Sequence, residues 1–235
     1  MSRVGLVTGA SRGIGAAAAV ALARTGVHVV ITARTQGGLE ETDDAIRDAG
    51  GTATLLPLDL MDGAALDLLG PSLLERFGRL DVLVHAAAAL GRLTPAAHIL
   101  PKDFDTVVGV NLAAAWRLIR SCGPLLAIAP AGRAVFVTDS LAGHPRAYWG
   151  AYGATKAAMQ HLVLSWAEET RQSGLRVNLF DPGMVGTRLR SEAMPGEDRA
   201  RLAKPEDVAE SLVALCAIDE TRHGQIALTP SLASG

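Results

Sequence analysis

Apolar positions in this chain come in short unbroken runs, and longer stretches of helical character lie between them from one end to the other. Val4 to Val7 is such a run, too continuous for a strand with one wet face and suited to one covered on both faces. The chain then breaks at Gly9, Gly13 and Gly15, and Ala16 to Arg24 follows as a helix former free of Pro and Gly until Gly26. The alternation continues. Val27 to Thr32 predicts a strand and is followed by an acidic helix to Ala49. Thr52 to Pro57 and Asp81 to His85 predict strands on either side of a helix over 64–77. A long helical stretch from Lys102 to Ile128 precedes a strand over 133–138. A helix over 152–172 stops at Gly174, and Leu175 to Phe180 is the next strand. Pro205 opens a last helix to Ala217, and Gln225 to Leu228 is a last short strand.

About seven strands alternating with helices predict an α/β fold: one domain over 1–235, a doubly wound parallel sheet with helices on both faces. In such sheets ligands sit beyond the carboxyl ends of the strands. At 235 residues, 49% apolar and 20% charged, the chain can bury a large core. Its net charge of -2, with both signs scattered, argues against nucleic acid or an anionic membrane as partner and for a small ligand. Cys122 and Cys216 stand far apart with no metal-ligand grouping, so buried free thiols are expected and no metal site. Arg3 leads straight into the first strand without a cleavage pattern, and nowhere do 18 uninterrupted apolar residues occur. A cytoplasmic protein is the expectation.

The candidate chemistry begins in Thr8-Gly9-Ala10-Ser11-Arg12-Gly13-Ile14-Gly15. Glycines after a buried strand turn the chain sharply, let backbone N–H groups approach a pyrophosphate and let the helix pack on its strand. The helix N-terminus attracts the phosphate charge. After the second strand, Thr32-Ala33-Arg34 offers no carboxylate for a ribose 2′-hydroxyl, whereas Arg34 with Arg12 suits a 2′-phosphate. Asp59, in Leu58-Asp59-Leu60, is a candidate for the adenine amino group, with Leu60 framing the ring; the competing reading of Asp59 is a helix cap.

With that turn at the start and Tyr152-Gly153-Ala154-Thr155-Lys156 in the middle, the chain resembles the short-chain dehydrogenase/reductase family over nearly its whole length. Asn111 in Val110-Asn111-Leu112, Ser140 after the fifth strand, and Asp181-Pro182-Gly183 with Val185 and Thr187 extend the likeness. The resemblance implies a Rossmann-like fold binding a nicotinamide dinucleotide, and Arg34 with Arg12 make NADP(H) the expected choice over NAD(H). The resemblance also implies a carbonyl or secondary-alcohol substrate and a homodimer or homotetramer. It makes Tyr152 the acid/base, Ser140 the holder of the substrate oxygen, and Asn111 the holder of a water that relays protons to Lys156. Lys156 also grips the nicotinamide ribose. Tyrosine ionises near pH 10 unperturbed, and a lysine four residues on shares its helix face, so Lys156 is expected to favour the phenolate. Gly9, Ser11, Arg12, Gly13, Ile14, Gly15, Arg34, Asp59, Leu60, Ala87, Tyr152, Lys156, Pro182, Gly183, Val185 and Thr187 are the expected cofactor contacts.

The chain departs from the pattern in several places. His85-Ala86-Ala87-Ala88 stands where the family usually has Asn-Asn-Ala-Gly. This removes two amides, leaves only a backbone contact at Ala87, and restricts φ at Ala88. Asp139 occupies a position where serine is common. The segment Arg188 to Ala203 is short and charged and reads as a solvated loop. Thr229-Pro230-Ser231 replaces an acidic-glycine ending. The alternative reading is an NAD(P)-binding sensor without turnover.

Overall fold

The computed structural model describes residues 2–229. Its elements are β1 (Val4–Thr8), α1 (Gly13–Arg24), β2 (His28–Ala33), α2 (Gln36–Asp48), β3 (Ala53–Pro57), α3 (Gly63–Phe77), β4 (Val82–His85), α4 (Pro101–Val108), α5 (Ala114–Ile128), β5 (Arg133–Val137), α6 (Gly150–Glu169), β6 (Arg176–Asp181), α7 (Arg188–Ala193), α8 (Pro205–Ala214) and β7 (Ile226–Leu228). The seven strands form one parallel sheet in the order β3-β2-β1-β4-β5-β6-β7. The order reverses direction between β1 and β4, which opens a crevice at their carboxyl ends. Among the described residues no helix is long and apolar enough to cross a membrane.

Alternation along each strand divides the core between two faces. Leu6, Leu83, Phe136 and Leu179 point towards α3, α5 and α6, where Leu66, Leu118, Met159 and Trp166 meet them. Val7, Val84, Val135 and Phe180 point towards α1, α2 and α8, where Leu22, Ile46 and Leu212 lie. Both faces of the sheet are thereby covered, and this is why the strands read as continuous apolar runs. Cys122 and Cys216 are buried free thiols whose ionisation burial pushes up to about 12.

Two elements differ from the sequence-based expectation. The stretch 102–128 is helical throughout, but it contains a π-helical turn at Gly109–Ala113, where Ala114 N donates to Gly109 O. The expected loop after Thr187 holds a helix, α7, capped by the Thr187 hydroxyl, which accepts from Arg190 N at 3.2 Å. Arg190 pairs with Glu197 at 2.5 Å, and Val185 bridges to Ala203, so the charged residues brace this segment as well as solvating it.

Candidate active site

The glycine turn is built by close approach. Gly9 has φ +69°, and a Cβ there would lie 2.7 Å from Ala87 N and Cα, so only glycine lets the ends of β1 and β4 meet at the crevice. A Cβ on Gly15 would stand 2.3 Å from Gly9 O, which ties the start of α1 to the turn. No side chain caps α1, whose N-cap is Arg12 in extended backbone, so its first-turn N–H groups are available to an anion. Thr42 of α2 donates to Ala10 O at 2.8 Å and Ala10 N donates to Thr32 O at 3.1 Å, which fixes the turn from below. Gly38 packs on Ser11, so the loop carrying Arg34 abuts the glycine turn. Arg12 and Arg34 are exposed, and among the described residues neither is in an ion pair. Asp59 is exposed; its Oδ1 accepts from Met61 N at 3.0 Å, while the cap of α3 is Asp62, accepting from Ala65 N. The helix-cap reading of Asp59 is therefore replaced by a local turn. Leu60 is buried in the core beside it and Ile14 is half-buried on α1. A capless helix end, two exposed arginines and a carboxylate at the rim fit a dinucleotide.

Across the crevice, Pro182 is buried and Gly183, at φ +69°, turns the chain, its N–H donating to Asp181 Oδ1 at 2.9 Å. Val185 is buried, and Thr187 Cγ2 lies 3.5 Å from where a Cβ of Gly13 would be. The turn after β1 and the turn after β6 thus face one another.

Tyr152 and Lys156 lie one helical turn apart on α6, and both are buried. Lys156 Nζ donates to Val137 O at 2.9 Å and stands 5.8 Å from the centre of the Tyr152 ring. Burial lowers its ionisation to about 8 against the pull of Asp139 and Asp181. The Tyr152 hydroxyl donates to Asp139 Oδ2 at 3.4 Å. Burial first, then the nearby Asp139 and Asp181 carboxylates, push its ionisation up. Ser140 is exposed at the start of a 3-10 turn, Ser140–Ala142, which packs against the start of α6, with Leu141 O lying 3.3 Å from where a Cβ of Gly153 would be.

Asn111 sits in the π turn, fully buried. Its Oδ1 accepts from Ala89 N at 2.8 Å, and its Nδ2 donates to Ala89 O at 3.0 Å and to Thr155 Oγ1 at 3.0 Å. The side-chain amide is thereby committed to protein groups, clamping the loop after β4 to α6. The extra residue of the π turn is what carries it there. Sequence reasoning missed Thr155, which donates in turn to Tyr152 O at 2.8 Å, and the backbone of Ala89. The one available signal was an asparagine inside a helix, a residue that competes with the backbone unless it has a partner.

His85 is buried at the end of β4, its Nδ1 sharing a hydrogen bond with Thr8 Oγ1 at 2.8 Å and its ring tilted against Phe136 at 5.5 Å. Burial and the Lys156 charge hold it neutral by lowering its ionisation to about 3. It ties β4 to the start of the glycine turn. Ala88 does not have positive φ; the residue of that loop that does is Gly91, at +69°. Around the Tyr152 ring, Trp149, Leu90, Leu93, Leu141, Leu189 and Met194 form an apolar wall to which α7 contributes. Thr229 donates to Pro182 O at 3.2 Å, and the rest of the ending, Pro230 and Ser231, lies outside the described residues.

A parallel sheet with a glycine turn at its switch point and a buried Tyr/Lys pair beyond its carboxyl ends defines a nucleotide-dependent oxidoreductase. Residues 3–198 match the family model described as short chain dehydrogenase, and the chain belongs to that family. It is similar to the uncharacterised oxidoreductase YciK of Escherichia coli, 34% identical over 223 residues spanning 94% of this chain and 88% of that one. It is also similar to an NAD-dependent oxidoreductase of Mycobacterium tuberculosis, 35% identical over 82% of this chain and 75% of the other. A short chain dehydrogenase of Shigella flexneri, solved in complex with NADP, superposes with a TM-score of 0.91 at 32% identity, covering 97% of this chain and 96% of that one.

Proposed function

We propose that this oxidoreductase uses NADP(H) in preference to NAD(H) and acts on a carbonyl or secondary alcohol whose body is apolar. The observation that carries the reading is the buried Tyr152/Lys156 pair at the carboxyl end of the sheet, beside the apolar wall. Preference for the phosphorylated cofactor rests on the exposed, unpaired Arg34 and Arg12 and on the Shigella relative's NADP, against the NAD-dependence of the mycobacterial relative. The α1 N-terminus would hold the pyrophosphate, Asp59 the adenine, and Lys156 and Thr187 the nicotinamide end; bound there, the cofactor supplies or accepts hydride. Tyr152 exchanges a proton with the substrate oxygen and Ser140 donates to that oxygen, while Asn111 keeps Ala89 and α6 in register. A homodimer or homotetramer belongs to the same proposal; the exposed Phe104 and Trp116 are apolar surface that such a contact would cover.

Tyr152→Phe tests the reading, because it removes one hydroxyl and keeps the ring. Oxidation of NADPH by a panel of ketones, aldehydes and quinones identifies a substrate for the parent. Turnover in the variant is then expected to fall about 10²-fold to 10⁴-fold, with cofactor affinity and Tm nearly unchanged. Parental turnover in the variant removes Tyr152 from the chemistry, and tight NADPH binding without turnover on any substrate favours a sensor.

A further inference from the structure

The turn that leads into α6 holds the one residue other than glycine, among those described, with a positive φ: Tyr148, at +75°, a conformation that an L side chain adopts only at a cost. Two hydrogen bonds keep it there. Trp149 N donates to Arg146 O at 3.2 Å, closing the turn, and Thr94 N donates to Tyr148 O at 3.2 Å, pinning it to the loop after β4. Strain of this kind collects at ligand sites, where the surrounding structure over-determines it. The turn sends its side chains two ways. Trp149 is buried and meets the Tyr152 ring edge-on at 5.8 Å, whereas Tyr148 and Arg146 stay exposed, with the Arg146 guanidinium over the Trp149 ring at 5.9 Å.

Charge around this turn is unbalanced. In α7 and the segment after it, which shares the apolar wall with Trp149, Glu192, Glu197 and Asp198 are each paired with an arginine of their own segment, Arg188, Arg190 and Arg201. Asp139 and Asp181 each accept from a backbone N–H, of Leu141 and of Gly183. Among the described residues Arg146 is in no ion pair, although its charge reaches Glu197 across the mouth. We propose that Arg146 determines specificity and that the substrate is an acidic carbonyl compound or alcohol. Its reacting oxygen lies at Tyr152, its apolar body on Trp149, and a carboxylate at its far end on Arg146. This deepens the oxidoreductase reading of Tyr152 and Lys156 and rests on it. A planar guanidinium stacked on an indole keeps its N–H fork free for the two oxygens of a carboxylate. Contacts of 5.9 Å and 5.8 Å separate that guanidinium from the phenol ring, a span that one aryl ring with substituents at opposite ends covers. A neutral end group gains only apolar contact there, and a cationic one is repelled.

Three ketones that differ at one end, 4-acetylbenzoate, 4-acetylbenzamide and acetophenone, test this by NADPH oxidation. The acid is expected to have a kcat/KM about five- to tenfold above that of the amide, with the difference in KM. Added NaCl at about 0.5 M is expected to shrink it, because a contact at the rim is screened. Arg146→Gln is expected to bring acid and amide to parity with NADPH affinity and Tm unchanged, and Arg146→Lys to restore part of the preference. Quenching of Trp149 fluorescence in the presence of NADP+ reads binding without turnover, assigned with Trp149→Phe against Trp116 and Trp166. Equal KM for acid and amide in the parent, or a preference that survives Arg146→Gln, overturns the proposal, while reduction of the ketones keeps the oxidoreductase reading. Stronger quenching by the acid, lost in Arg146→Gln, in a protein that reduces no ketone keeps the acid site and removes the oxidoreductase reading. Neither quenching nor reduction with any of the three overturns the proposal.

Discussion

His85 stands at the end of a central strand, where a titratable ring is costly unless it stays neutral. The Thr8 hydroxyl satisfies Nδ1, while Nε2 is buried and has no hydrogen-bond partner among the described residues. Because burial and Lys156 lower its ionisation to about 3, the unfolded chain takes up the proton first as pH falls. Between about 6.5 and 3 the unfolded state therefore binds more protons at this site, and the stability present above 6.5 is progressively lost through that window. His85→Asn, which keeps a partner for Thr8, is expected to lose less stability between pH 7 and pH 4.5 than the parent, measured as the shift in urea midpoint. Equal losses would assign the acid sensitivity to the carboxylates. The sequence identified this position as a departure, and its packing role follows from alternation along β4, which turns Leu83 and His85 to the same side of the sheet.

Helix packing decides how closely the elements around the site can approach. Gly70 of α3 lies against α5, where its N–H donates to Ser121 Oγ at 2.7 Å and an added Cβ would sit 1.9 Å from Ser121 O. Backbone on both sides leaves no flexible group to move aside, so Gly70→Ala is expected to destabilise the protein by about 1–3 kcal/mol, although alanine is the better helix former. Thermal or urea unfolding checks this, and a neutral or stabilising result would show that the two helices are free to part. Nothing in the sequence marks this glycine, because the clash lies between residues 51 apart. Strands and most helices were legible for the opposite reason, as their signals are local: continuous apolar runs, Gly stops, and Pro at the start of α8. The π turn escaped because one extra residue does not disturb a 3.6-residue pattern that apolar residues on either side maintain. The helix α7 has no apolar period to reveal it, and the ion pair that braces the segment, Arg190 with Glu197, joins residues seven apart.

At the scale of the molecule, the glycine turn, the loop after β2 and the Pro-Gly turn come from separate strand ends, and one ligand touching all of them would bind the folded sheet and not the unfolded chain. That linkage makes Tm a reporter of cofactor choice that needs no substrate. At a concentration about 100 times its Kd, a ligand adds about 2.7 kcal/mol of stability. In a chain of this size each kcal/mol raises Tm by about 2–4 °C, so NADPH is expected to raise it by roughly 5–10 °C. If the contacts of Arg34 and Arg12 with a 2′-phosphate contribute about 1.5–3 kcal/mol, NADH binds at least about tenfold more weakly. At the same concentration its shift should then be smaller by about 3–5 °C. Arg34→Ala is expected to bring the NADPH shift down towards that of NADH and to leave the NADH shift alone, since the unphosphorylated ribose never needed the guanidinium. Equal shifts in the parent would remove the preference for NADP(H) while keeping the dinucleotide site. No shift with either cofactor would mean that His85-Ala86-Ala87-Ala88 has closed the crevice that Gly9 and Ala87 keep so narrow.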